Sequence, residues 1–162
     1  MLIISDASPI ICFIKIDRLT ILHQLFGRLI IPPAVWNEIN QLSELGYDLN
    51  LFRNSDWIEI RDAQNHAMVE KLRQSLDRGE SEAIALASEL HPDYLLIDER
   101  LGTLTARNLG IHTIGVIGII IRAKDQELIP LGKPILDKLR TEGRFWISEK
   151  LYISALIKLN EQ

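Results

Sequence analysis

Three short apolar runs restrict this chain more than any other feature: "LIIS" at the start, "RLIIP" ending at Pro32 and "YLLID" ending at Asp98. Runs of this length, bounded by polar or turn-forming residues, are the pattern of strands buried on both faces. "WIEI" from Trp57 and "HTIGVI" from His112 are weaker strands of the same kind. Between them lie segments with apolar residues every three or four positions. "SPIICFIKIDRLTILHQLF" is one, "PPAVWNEINQL" opens with prolines suited to a first helical turn, and "GESEAIALASEL" is rich in helix formers from Gly79 onward. Strands alternating with helices imply parallel pairing through crossover helices. The fold class is therefore α/β, a three-layer α/β/α sandwich around a central parallel sheet of four to five strands.

At 162 residues and 47% hydrophobic content, the chain suits one domain with a sizeable core. Its longest apolar stretch, "GVIGIII" from Gly115, is far shorter than the roughly 20 residues that cross a bilayer, so no membrane is expected. The N-terminus carries Asp6 and Lys15 within its apolar run and does not read as a signal peptide. The single cysteine, Cys12, excludes an internal disulfide framework and fits a reducing compartment, so the expected location is cytoplasmic. A net charge of −4 argues against a globally basic nucleic-acid binder. The charge is uneven, however: residues 1–98 hold 8 basic and 15 acidic side chains, and residues 99–162 hold 10 and 7. A cationic surface can thus lie beside an acidic site.

In an open parallel sheet, ligands bind outside the carboxyl ends of the strands, and several acids emerge there. Asp6 ends the first run, Asp98 ends "YLLI", Glu38 follows the run that ends at Pro32, and Glu80 and Glu82 open the helix at Gly79. Each has an ordinary alternative. Asp6 and Asp98 can cap the following helices, Glu38 can be an exposed helical carboxylate, and Glu80 and Glu82 can complement a helix dipole. Residues two apart on a helix point to nearly opposite sides, so Glu80 and Glu82 should not serve one pocket equally. Several carboxylates brought together would repel one another unless a cation sat among them. An all-oxygen set without a His or Cys cluster favours Mg²⁺ or Mn²⁺ over zinc, and such ions support phosphodiester hydrolysis.

"ISDASPII", "IPPAVWNEI", "LDRGESEAIALASE" and "YLLIDERLGTLTARNLGIHTIGVIGIIIRAK" together resemble a PIN-domain protein, nearest to the subfamily of predicted nucleic-acid-binding proteins related to VapC-like toxins. The resemblance covers residues 1–125 and leaves 126–162 as a C-terminal helical extension on the same domain or a partner. Its last part reads as two amphipathic helices broken at Gly143. The resemblance implies an Mg²⁺- or Mn²⁺-dependent ribonuclease site with Asp6, Glu38, Asp98 and a third acid as catalytic and metal-holding residues. Glu82 matches that third acid and Glu80 competes with it, while Ser8 and Glu99 are auxiliary. Glu82 departs from the commoner aspartate, and Ile97 stands where many ribonuclease members have a hydroxyl.

For RNA phosphates the candidates are Arg100 and Arg107, two turns apart on one helix, with Lys124 next. The histidines His23, His66, His91 and His112 have no metal-ligand spacing, and neither dinucleotide nor P-loop glycine patterns occur. The tryptophans Trp36, Trp57 and Trp146 are core residues before they are stacking platforms. The expected function is a metal-dependent endoribonuclease, the toxin of a toxin–antitoxin pair, with RNA, an antitoxin protein and a second copy of the chain as partners. The alternative is a catalytically weak or inactive PIN-like protein acting as an RNA-binding or protein-interaction module.

Overall fold

The three strong runs form β1 (Ile3–Ser5), β2 (Leu29–Ile31) and β4 (Tyr94–Leu96), and the weaker ones form β3 (Ile58–Ile60) and β5 (Thr113–Ile114), in the computed structural model, which describes residues 1–162. All pairings are parallel and the strand order is β3-β2-β1-β4-β5. The expected α/β/α sandwich is thus present with five strands.

Side chains alternate across the pleat, and the two faces bury separate cores. Ile3, Leu29, Ile31 and Leu96 join the larger core, whereas Ile4, Ile30 and Leu95 join the smaller one. Helices α1 (Ala7–Lys15), α2 (Thr20–Phe26), α3 (Pro33–Asn40), α8 (Val116–Asp125), α9 (Lys133–Thr141) and α10 (Glu149–Leu159) supply the larger core. The smaller is covered chiefly by α6 (Arg78–Leu90), whose Ala83 through Ala87 are all buried, with Val69 of α5 (His66–Leu72) and Ala106 of α7 (Arg100–Asn108). Ile135, Leu136, Leu139, Tyr152 and Leu156 sit in the same core as the strands, so the C-terminal helices share one interior with the sheet. No helix is long and apolar enough to cross a membrane.

Three local departures have physical reasons. The first helical pattern is interrupted at Asp17, whose φ of 58° is left-handed, and so makes two helices. The stretch 43–56 is less irregular than a long loop: a 3-10 turn over Gln41–Leu45 stops at Gly46, where φ is 88°, and α4 (Asn50–Arg53) follows, with Phe52 buried. In α5 only Val69 is buried, too thin an apolar stripe to read beforehand.

The chain leaves β1 for β2 on one side of the sheet and reaches β4 on the other. The carboxyl ends of β1 and β4 therefore flank the point where strand order reverses, which is where such sheets open a crevice. The Asp6 N–H donates to Leu96 O at 2.8 Å and ties the two strand ends together there.

Candidate active site

Asp6 stands at the mouth of this crevice with 2% of its surface exposed. Its extended backbone places it at the N-cap of α1, yet its side chain makes no capping hydrogen bond, and Oδ1 is buried without a partner. A cap alone does not account for it. Burial pushes its carboxyl up to about 8 against the pull of the Ala7 N–H, and the charges of Glu80, Asp77 and Glu38 push in the same direction as burial.

Glu38 reaches the same place from α3. A Cβ placed on Gly79 would stand 3.5 Å from Asp6 Oδ1 and 3.5 Å from Glu38 Oε2. The missing side chain of Gly79, in the first turn of α6, leaves open the space on which both oxygens border. Burial raises the Glu38 carboxyl, and Asp77 raises it further.

Asp77 is a group that the sequence reading passed over. Its Oδ1 accepts the Glu80 N–H at 2.8 Å while Glu80 Oε2 accepts the Asp77 N–H at 3.2 Å, a capping box that starts α6. The signal was present as Asp-x-x-Glu in "DRGE", directly before a helical run. Burial and then Asp77 push the Glu80 carboxyl up to about 7, with smaller contributions from Glu99 and Glu38.

Glu82, two positions on, turns elsewhere. Its Oε1 accepts the Ala34 N–H at 3.3 Å and its Oε2 accepts the Arg78 Nε–H at 2.9 Å. It locks α6 to the start of α3, and it is not among the charges that raise Asp6. Asp98 lies beyond β4, where its Oδ2 accepts the Val116 N–H at 3.2 Å, so it caps α8 rather than α7. The fit is close, since a Cβ on Gly115 would come within 3.0 Å of Asp98 Oδ1. Burial raises the Asp98 carboxyl against that N–H, with Glu99 adding repulsion.

The auxiliary candidates divide by position. Ser8 Oγ is buried without a hydrogen-bond partner, at the second residue of α1, two positions after Asp6. Glu99 occupies the N-cap position of α7 without a capping bond, and Arg100 is the exposed first residue of that helix. Arg107 lies at the other end of α7, its Nε–H donating to Thr113 Oγ1 at 2.9 Å. Lys124 points to the C-terminal tail, where Nζ donates to Glu161 Oε2 at 2.9 Å and to Leu159 O. Cys12 offers no thiolate, because burial pushes its thiol up to about 12 and Asp98 adds to the shift.

No three His, Cys, Asp or Glu side chains stand in ready coordination geometry. What the crevice does present is an orphaned buried acceptor on Asp6, bordered through Gly79 by a second carboxylate. The oxygens that border this space are carboxylate oxygens, the hard set that suits Mg²⁺ or Mn²⁺. Residues and ion fit on that chemistry.

The sequence model of a family described as PIN domain matches residues 2–161. Among solved structures, the chain resembles a PilT N-terminus domain protein from the hyperthermophilic archaeon Sulfolobus solfataricus P2, at 19% identity and a TM-score of 0.48, over 74% of this chain and 90% of that one. No curated protein matches. With nearly its whole length matched, the chain belongs to the PIN-domain family. That is a family of nucleases, which as a class use divalent cations and act on nucleic acids.

Proposed function

We propose that the protein is an endoribonuclease dependent on Mg²⁺ or Mn²⁺. The observation that carries this reading is Asp6: a buried carboxylate with an unpartnered oxygen, surrounded by Glu38, Asp77 and Glu80, with no basic group among the charges that act on it. Leaving such a carboxylate ionised needs a cation from outside the chain. In this reading Asp6 and Glu38 hold the ion from either side of the space above Gly79. Asp98, oriented by the Val116 N–H, is not among the charges that raise Asp6 or Glu38, and in this reading it joins them from the end of β4 when the ion is bound, while Glu80 supplies the fourth carboxylate once its contact with the Asp77 N–H is released. Glu82 positions α3 against α6 and so sets where Glu38 stands. When bound, a divalent ion supplies activated water and stabilises the departing 3′ oxygen of a phosphodiester. Arg100, exposed beside the acids, takes the neighbouring phosphate. The partner implied by the resemblance to VapC-like toxins is an antitoxin that fills the crevice, and the setting is the cytoplasm.

One observation favours a second reading, an RNA-holding module without catalysis. Glu80 is engaged in a cap, Glu82 in an ion pair and Asp98 with the Val116 N–H, so three of the five candidate acids already have structural partners.

Calorimetric titration of Mn²⁺ into wild type and Asp6→Asn, followed by RNA cleavage assays on the same samples, separates the two. The nuclease reading expects binding and cleavage in wild type and neither in the variant. A folded, Mn²⁺-loaded wild type that cleaves no RNA would overturn it and leave the binding module.

A further inference from the structure

A cavity of about 690 Å³ opens beside Glu38, between α3 and α5 and against the start of α6. Its volume lies within the roughly 300–1,000 Å³ of small-ligand sites. The acids at the mouth explain Glu38 and Gly79, but nothing so far explains the rest of the lining.

Asn37 of α3 and Gln41, the first residue of the 3-10 turn that follows it, lie one turn apart on one side, and both are exposed. From α5 and the segment before it come Asp62, His66 and Glu70. Arg78 stands on the same wall. Its Nε–H is held by Glu82, its side chain is 68% exposed, and the terminal nitrogens of its guanidinium are left for a further acceptor.

The charge of this lining selects what can enter. Glu70 is already paired with Arg73, its Oε1 3.3 Å from Nη1, whereas Asp62 has no ion pair; the Asp62 carboxylate disfavours a phosphate and accepts hydrogen bonds from neutral N–H groups. Asn37 and Gln41 each present a donor and an acceptor in one plane, the pairing by which side-chain amides read base edges. His66 adds a ring on which a base can stack. A nucleobase fits these demands while its own phosphate meets Arg78 at the rim.

We infer that this cavity is a nucleobase subsite, next to the acidic crevice, that selects bases with an amino group at purine C6 or pyrimidine C4, adenine or cytosine, over uracil, which has a carbonyl there. Where adenine and cytosine carry an amino donor on the pairing edge, uracil carries a carbonyl oxygen that the Asp62 carboxylate can only repel, and its single N3–H is flanked by carbonyls on both sides. The inference rests on the nuclease reading only for the place of the cleaved bond; base selection stands or falls separately.

The test is fluorescence anisotropy with labelled rA6, rC6 and rU6 in Ca²⁺, on wild type and the Asp62→Asn variant, whose amide can donate as well as accept, with cleavage of the same oligonucleotides in Mn²⁺ alongside. Asp62 is exposed and lies outside the helices and strands, so the substitution should leave the fold intact. Wild type is expected to bind rA6 and rC6 at least about tenfold more tightly than rU6, the order of one base-edge pairing, and the variant to bind all three alike. Equal binding of the three by wild type, discrimination that survives in the variant, or no binding of any of them overturns the inference. Discrimination without cleavage would leave the subsite and remove the nuclease; cleavage without discrimination would do the reverse.

Discussion

An aspartate with 2% exposure and a free oxygen is unfavourable as an anion, and apart from the Ala7 N–H its charged neighbours are acids. The consequence is a definite pH dependence in the metal-free protein. The folded-state value of about 8 lies above the ordinary 3.8, so the folded state binds the extra proton between them. Stability from this site is complete below about 4 and is lost as the pH rises toward 8; Glu80, raised to about 7, adds in the same sense. In EDTA, thermal melts of wild type should fall from pH 5 to pH 8.5, while Asp6→Asn should flatten that decline and Mn²⁺ should reverse it. An unchanged slope in the variant would remove Asp6 as the cause. Gly79 gives a second test. A methyl there would make ordinary contacts at 3.5 Å, and alanine is favoured over glycine in a helix by roughly 0.5–1 kcal/mol, so the fold should tolerate Gly79→Ala or gain from it. The same methyl would occupy the space between the Asp6 and Glu38 oxygens. Mn²⁺ affinity measured by calorimetry is expected to fall more than tenfold with no loss of melting temperature, a result that a merely structural glycine would not give.

At the scale of elements, what could be read depended on how each element is buried. β1, β2 and β4 lie at the centre of the sheet, covered on both faces, so continuous apolar runs announced them. β3 is an edge strand with only partial burial, and "WIEI" was correspondingly weaker. Asp6 and Asp98 were legible because they close central runs. Asp77 was not, because it starts a helix whose run of helix formers reads from Gly79, although its capping partner stands three residues on. Nor could the different directions of Glu80 and Glu82 be assigned, since the Ala34 N–H that draws Glu82 away comes from a helix 48 residues earlier. The capping box makes a prediction that separates its two effects. Asp77→Ala removes the cap, at about 1 kcal/mol, and also removes a charge that raises Asp6, Glu38 and Glu80. Asp77→Asn keeps a comparable cap and removes only the charge. In urea unfolding at pH 8 without metal, the asparagine variant should be at least as stable as wild type and the alanine variant less stable than the asparagine one. Equal stabilities would mean that Asp77 does not cap α6.

Across the whole molecule, the acidic crevice at the strand ends is opposed by a closure at the C-terminus with the reverse pH dependence. Glu161 has an 8% exposed side chain and accepts the N–H of Gly132 at 2.9 Å and of Lys133 at 3.1 Å, at the start of α9. It also pairs with Lys124 of α8 at 2.9 Å, and Lys124 holds Leu159 O of α10 as well. One carboxylate therefore joins three helices that cover the larger core. Burial works to raise its carboxyl, but these three donors together hold it below its ordinary 4.5. With the folded value depressed, its contribution is present above about 4.5 and lost as the pH falls through the folded value, opposite in sign to Asp6. Breaking a fully buried pair costs roughly 3–5 kcal/mol, and because Lys124 keeps 23% of its side chain exposed the cost here should be nearer 2 kcal/mol. Glu161→Gln is therefore expected to lose about 2 kcal/mol in urea at pH 7, with a shallower fall than wild type between pH 5 and pH 3. The variant's decline above pH 7 without metal should match that of wild type, since it originates at Asp6 and Glu80. A loss of stability that was uniform with pH would show that Glu161 acts by packing alone, and a change confined to high pH would place its influence in the crevice instead.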